Sequence, residues 1–288
     1  MNGLRIGGVP EHFNYPWRLG IERGDFSAEG LRLHWSDMTG GTGQMIRGLA
    51  SGSLDVAVLL TEGIVQAIHQ GLKARIISGY VESPLTWGIH TNRGTSTKNI
   101  SEWSGGKFAI SRMGSGSHLM AFLLAEKQGW DKSTLAFNVV GDVYGGLWAL
   151  ENGEADFFLW EKFTTQPFVD QGKCRRIDEL KTPWPCFVIA ARQEVLNTRS
   201  DELATMCSLI KKLVQEVMEN QSSYKEIAWR YHLNEDQTKL WFQETNWDTR
   251  SIVPTQALEN VHNHLYQLGL LPDAGFPTSS TLTKYIDE

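Results

Sequence analysis

"GGTGQMIRGLASGSLDVAVLLTEG" (40–63) and "DVYGGLWALENGEADFFLWEKF" (142–163) carry one pattern twice: a helical stretch, Gly, two residues, Asp, then an apolar strand. Leu49, Gly52 and Asp55 precede the run from Val56 to Leu60; Leu150, Gly153 and Asp156 precede the run from Phe157 to Trp160. Gly52 and Gly153 lie 101 residues apart, as do Asp55 and Asp156. A constant offset across an α/β pattern marks a structural repeat, so two similar units are expected.

Working outward, strand and helix signals alternate, which predicts an α/β fold with largely parallel sheets. Strands are read at 4–9, 31–37, 56–60 and 74–80, and helices at 14–26, from Thr42, and at 61–70. After Pro84 the pattern restarts, with strands at 107–112, 135–140 and 156–160 and helices from Gly114 and after Val143. The stretch 183–192 reads as a return to the first unit, and 201–270 as mostly helical, with a turn-rich tail at 272–281. This gives a first lobe at 1–84, a second at 85–182, and a return to the first at 183–288, with chain crossings near 81–87 and 182–190.

The bulk numbers limit what such a chain does. At 288 residues it exceeds the usual size of one domain, and 41% hydrophobic with 21% charged residues describes an ordinary folded protein. A net charge of −6 without a long Lys/Arg tract gives nucleic acid no electrostatic footprint. No run is long enough to span a bilayer, so membrane insertion is not expected. The amino terminus shows no signal peptide, which places the chain in the cytoplasm as written, or in the periplasm if a leader has been removed. Cys174, Cys186 and Cys207 are too few and too scattered for a disulfide framework or a zinc site, and buried free thiols are expected.

Ligands of open α/β sheets collect beyond the carboxyl ends of the strands, where each following helix begins with unpaired N–H groups. "RMGSGSH" (112–118) is the sharpest such start: Gly114 and Gly116 allow close backbone approach, Ser115 and Ser117 add hydroxyls, and Arg112 and His118 can add charge. The same letters also describe a plain helix cap. "GGTG" (40–43), with Gly41 and Thr42, either cradles polar ligand atoms or makes a flexible turn; Thr61 opens the next helix. At the first strand exit stand Glu11, His12 and Tyr15, His12 being a hydrogen-bond partner or a structural histidine. Trp160 and Glu161 offer a stacking face and a carboxylate, or core and cap, and Tyr144 a second aromatic wall.

Other motifs are read as structural. The Asp55 and Asp156 carboxylates need only capping or turn roles, the "HNH" at 262–264 a solvated helix face, and the Trp and Tyr residues of 224–247 packing of the tail.

In order along the chain, "GIERGDFSAEGLRLHW", "LASGSLDVAV", "GSGSHLMAFLLAEKQGW" and "ALENGEADFFLWEKF" resemble the type II periplasmic-binding-protein family, in its sulfonate, nitrate and thiamine-precursor branch, including leaderless fungal and bacterial members. The resemblance runs from about Leu4 to Ala191 and turns the readings of the Gly/Ser helix start and of Trp160 with Glu161 toward the ligand. It implies a two-lobed fold with a ligand cleft and non-catalytic binding of a small polar, anionic or zwitterionic solute by lobe closure. A transport receptor, paired with an ABC transporter if exported, and an intracellular sensor are both implied. The alternative is a cytosolic enzyme on the same fold, related to thiamine-pyrimidine biosynthesis. That enzyme needs clustered cysteines and a cofactor lysine; only Lys162 stands at a strand exit, read as solvated, so neither a cofactor nor a metal is expected.

Overall fold

Short apolar runs closed by turn residues form the strands, and the periodic segments between them the helices. The computed structural model describes residues 3–250, 252–272, 275–276 and 282–285, so most of the turn-rich tail read at 272–281 lies outside the described residues. The order is β1 (Leu4–Gly8), α1 (Tyr15–Arg23), α2 (Asp25–Ala28), β2 (Leu33–Asp37), α3 (Gly41–Ser51), β3 (Val56–Leu60), α4 (Thr61–His69) and β4 (Ala74–Thr91). It restarts with β5 (Gly106–Ile110), α5 (Gly116–Gln128), β6 (Leu135–Val139), α6 (Val143–Glu151), β7 (Phe157–Glu161), α7 (Lys162–Asp170) and β8 (Arg175–Arg192). Helices α8 (Gln193–Thr198), α9 (Ser200–Glu219), α10 (Ser223–Tyr231), α11 (Glu235–Glu244) and α12 (Thr255–Gln267) follow.

The chain divides into two compact units, Met1–Pro84 with Pro183–Glu288, and Leu85–Thr182. Strand order is β2-β1-β3-β8 in the first and β6-β5-β7-β4 in the second. In each, the first strand pairs in parallel with the second and third, and a long strand closes the row antiparallel to the third. Both long strands outrun the sequence reading. β4 continues through Pro84 to Thr91, and β8 begins at Arg175 rather than at Pro183.

The repeated Asp explains the repeated register. Asp55 N–H donates to the Arg5 carbonyl at 2.8 Å, while its carboxylate accepts from Arg5 N–H at 3.0 Å. Asp156 does the same with Lys107, both bonds measuring 2.8 Å. The next residue of each strand then falls into register, Ile6 opposite Val56 and Phe108 opposite Phe157. Gly52 and Gly153 end the preceding helices in the left-handed region, at φ 76° and 69°, where a Cβ would be strained. Asp55 also takes the Arg5 guanidinium, at 2.5 and 3.0 Å.

In the first unit, α1 packs on α9 where Gly20 leaves room for Leu213, and Trp17 stacks on Phe26 at 5.8 Å. α4 packs on α12, and α10 on α11. The aromatic tail is buried only in part: Trp241 and Trp247 pack inside, Trp247 donating to the Phe13 carbonyl, whereas Trp229 stands exposed. His262 is fully buried, its Nδ1 3.1 Å from His69 Nε2, which corrects the solvated reading of the "HNH" stretch; the apolar side of α12 carries it inward with Leu258, Val261 and Leu265. In the second unit, Ala109, Leu147, Leu150 and Phe158 form a core that Gly146 lets close against the Phe158 ring. All three cysteines are free and buried.

Burial works against the Asp55 charge, but the hydrogen bonds and charge of Arg5 outweigh it and hold the carboxyl below its ordinary value. A depressed folded-state pKa contributes stability above the unfolded value, lost as pH falls through the folded one. Asp55→Asn is therefore expected to cost about 1–3 kcal/mol at neutral pH and to flatten the acid limb of the stability curve. Urea unfolding followed between pH 7 and pH 3 measures both.

Candidate functional site

The helices that follow strand carboxyl ends are finished differently in the two units. In the second unit each start is closed by a side chain. Ser115 Oγ accepts from His118 N–H at 3.3 Å, Asp142 from Gly145 N–H at 3.0 Å, and Glu161 from Phe163 and Thr164 N–H at 3.0 and 2.6 Å. These caps begin α5, α6 and α7. In the first unit Gly40 and Leu60 stand at the caps of α3 and α4, and neither supplies a side-chain acceptor. Helix starts without side-chain caps keep first-turn N–H groups and the positive end of the dipole for a ligand.

The two open starts lie side by side. Thr42 Oγ1 accepts from Leu60 N–H at 3.3 Å, and the Thr42 methyl fills the space that a Cβ on Gly63 would need, 2.3 Å away. Thr61, fully buried, donates to the Pro185 carbonyl at 2.6 Å and ties α4 to β8. Gly41 begins α3 at φ 62° and donates its N–H to the Met38 carbonyl.

Glu62, in the first turn of α4, is the residue that sequence reasoning missed. It is buried, with Oε2 accepting from Trp184 Nε1 at 2.9 Å and Oε1 without a partner among the described residues. Burial pushes its carboxyl up to about 7, against the pull of its own backbone N–H and of the Trp184 indole. A half-satisfied buried carboxyl titrating near neutrality fits a ligand donor or a proton. Its signal was its position directly after a strand exit, at a helix start with no capping residue.

The remaining first-unit candidates turn inward. His12 is buried against Phe13 and Trp241, ring centroids 4.8 and 4.2 Å away, and burial lowers its pKa to about 3, so the ring is neutral. The buried Tyr15 phenol is pushed up by burial and by its hydrogen bond with Glu226. Glu11 precedes the 3-10 turn His12–Asn14 and is partly exposed.

In the second unit the Gly/Ser stretch closes on itself. Gly114 N–H donates to His118 Nδ1 at 3.0 Å, Ser111 N–H donates to Ser117 Oγ at 3.0 Å, and Ser115 and Ser117 hydroxyls share a bond of 2.9 Å. With Nδ1 accepting, His118 carries its proton on Nε2, which is buried beside Phe122 and Phe137 and has no acceptor among the described residues. Arg112 donates to the Met113 carbonyl at 3.3 Å, and Gly116 is the first residue of α5. Trp160 stacks on Phe158 at 5.4 Å and packs against the core, while Tyr144 stands out in solvent. Glu161 is buried with both oxygens spent on the α7 cap, and burial raises its carboxyl against those bonds. Lys162, read as solvated, instead pairs with Glu179 at 3.0 Å, its Nζ 5.0 Å from the centroid of the Phe163 ring. Among the described residues no group of three or more His, Cys, Asp or Glu converges as a metal site, and no helix is long and apolar enough to cross a membrane.

Against known proteins, a family model described as Ca3427-like PBP matches residues 87–180. No curated protein matches. Among solved structures, the chain is similar to the Candida albicans CA3427 gene product, described as having the generic periplasmic binding protein fold. Identity is 24% over 96% of this chain and 92% of that one, with a TM-score of 0.88. It is also similar to the alkanesulfonate-binding protein SsuA from Xanthomonas axonopodis, bound to MOPS, at 13% identity over 94% of each chain and a TM-score of 0.78. A third likeness is to the periplasmic nitrate-binding protein NrtA from Synechocystis, at 13% identity over 97% of this chain and 84% of that one, with a TM-score of 0.73. The fold is that of the type II periplasmic binding proteins.

Glu62 sets a pH signature. A carboxyl raised from 4.5 to about 7 in the folded state binds a proton that the unfolded chain has lost. Its contribution is complete below the unfolded pKa and lost as pH rises through the folded one, about 3 kcal/mol in all. Glu62→Gln is expected to match the wild type near pH 4.5 and to exceed it in stability at pH 8, as read by denaturant unfolding at both pH values.

Proposed function

We propose that the chain is a non-catalytic solute-binding protein, taking a small polar ligand that carries both an anionic group and an amine or ring N–H, and holding it by closure of its two lobes. The observation that carries this reading is the difference in capping. The second unit satisfies its helix starts with Ser115, Asp142 and Glu161, whereas α3 and α4 of the first have no capping side chain. The offset of the repeat sets Asp142 against Gly41 and Glu161 against Leu60, so the first unit lacks a carboxylate at the two places where the second has one.

A bound anion does the work of the missing carboxylates. Each helix start favours it by roughly 0.3–1 kcal/mol when exposed and by up to about 2 when partly buried. The ligand's donor is assigned to Glu62 Oε1, which relieves the repulsion between that carboxyl and the anion. Aminosulfonates and pyrimidines with an acidic substituent meet both demands. Two of the structural neighbours are named for anions, a sulfonate and nitrate, which supports the anionic half of the reading. The anion is thus assigned to the starts of α3 and α4 in preference to the Gly/Ser start of α5, whose hydroxyls are already engaged.

The test copies the second unit's cap into the first. Thermal-shift screening of sulfonates, phosphates, amino acids and pyrimidines supplies a ligand, and calorimetry then compares Leu60→Glu with Ser115→Ala/Ser117→Ala. Leu60→Glu is expected to leave the apo melting temperature intact and to weaken the ligand at least about tenfold, near 1.4 kcal/mol. A ligand indifferent to Leu60→Glu but lost in the serine double variant moves the anion to α5 and defeats the assignment.

A further inference from the structure

We propose that the second unit carries another ligand site, for a planar aromatic anion, on the outer face of α6. Tyr144 and Trp148 stand one helical turn apart and are 68% and 55% exposed, although α6 is otherwise an apolar helix whose Leu147 and Leu150 are core. Two large aromatic side chains on one face offer a surface on which a flat ring can stack. They border a cavity of about 660 Å³ that also takes in Arg93, Gly94, Gly172 and Lys173. That volume falls within the range of small-molecule sites.

The surroundings are built and held. Asn92 Nδ2 donates to the Leu150 and Glu151 carbonyls at 2.7 and 3.3 Å, while its Oδ1 accepts from Gly94 N–H at 2.7 Å, which fastens the Arg93 turn to the end of α6. Gly172 lies beneath the Arg93 guanidinium, 3.5 Å from where a Cβ would sit. Lys173 Nζ lies 5.5 Å from the Phe168 centroid, and Tyr144 meets the same ring edge-on at 5.9 Å. Neither Arg93 nor Lys173 makes an ion pair among the described residues. Glu151 on the rim is the one opposing charge in the lining, so the site has a surplus of positive charge in a chain of net charge −6.

The chemistry follows from this pairing. Aromatic faces take a flat ring by offset or edge-to-face contact, and the guanidinium and ammonium hold a carboxylate or sulfonate at its edge. An inorganic anion would leave the rings unused, and a neutral arene the charges. The assignment is independent of the one made for α3 and α4.

Calorimetric titration with 2-naphthoate tests it, beside 2-naphthol as the neutral arene and cyclohexanecarboxylate as the non-aromatic anion. The expected result is binding of 2-naphthoate at one site, with both comparison compounds at least about tenfold weaker. Tyr144→Ala/Trp148→Ala and Arg93→Gln/Lys173→Gln are each expected to weaken 2-naphthoate about tenfold or more. All four positions are at the surface, and circular dichroism melting confirms that the variants fold. Leu60→Glu is expected to leave 2-naphthoate binding unchanged. Absence of binding at millimolar 2-naphthoate, affinity that survives both double variants, or affinity lost in Leu60→Glu overturns the proposal.

Discussion

A helix cannot satisfy its own first N–H groups, and what each helix start does about that organises the whole chain. Every βα step needs an acceptor from somewhere. The second unit finds it in Ser115, Asp142 and Glu161. The first unit has no such side chains at the caps of α3 and α4, although its strands follow the same order. The contrast lies between two copies of one strand order.

Much of the fold was legible because the repeat has physical content. Gly52 and Gly153 end helices in a conformation that other residues avoid, and Asp55 and Asp156 each bind both backbone groups of one residue in a neighbouring strand. Glycine followed three residues later by aspartate is thus a readable instruction. The long strands were less legible. Proline has no N–H to give to a ladder and reads as a break, yet Pro84 lies exposed within β4, next to the boundary of the two units, and Pro183 and Pro185 lie within β8.

The helix starts were legible in place, the roles of their side chains not. Helix starts could be located from strand ends and glycines, whereas the direction of a side chain could not. Ser115 and Glu161 looked available and are engaged with their own helices. Glu62 looked like an ordinary first-turn acid and is buried beneath an indole that comes from 122 residues away. His12 was placed correctly beyond β1, but the aromatic tail that encloses it arrives from α11, over two hundred residues later in the chain. Such partners are set by tertiary packing, which periodicity does not encode.

The two long strands have a consequence for how this chain could have been assembled. The second unit begins within β4 at Leu85 and ends within β8 at Thr182, and Leu85 N–H donates to Thr182 Oγ1 at 3.0 Å. Its beginning and end therefore meet. A segment whose ends are adjacent can be spliced into a host strand pair without stretching it, because closing the host's connection needs little more than the gap between neighbouring strands. The second unit is in this sense a continuous segment carried between two stretches of the first.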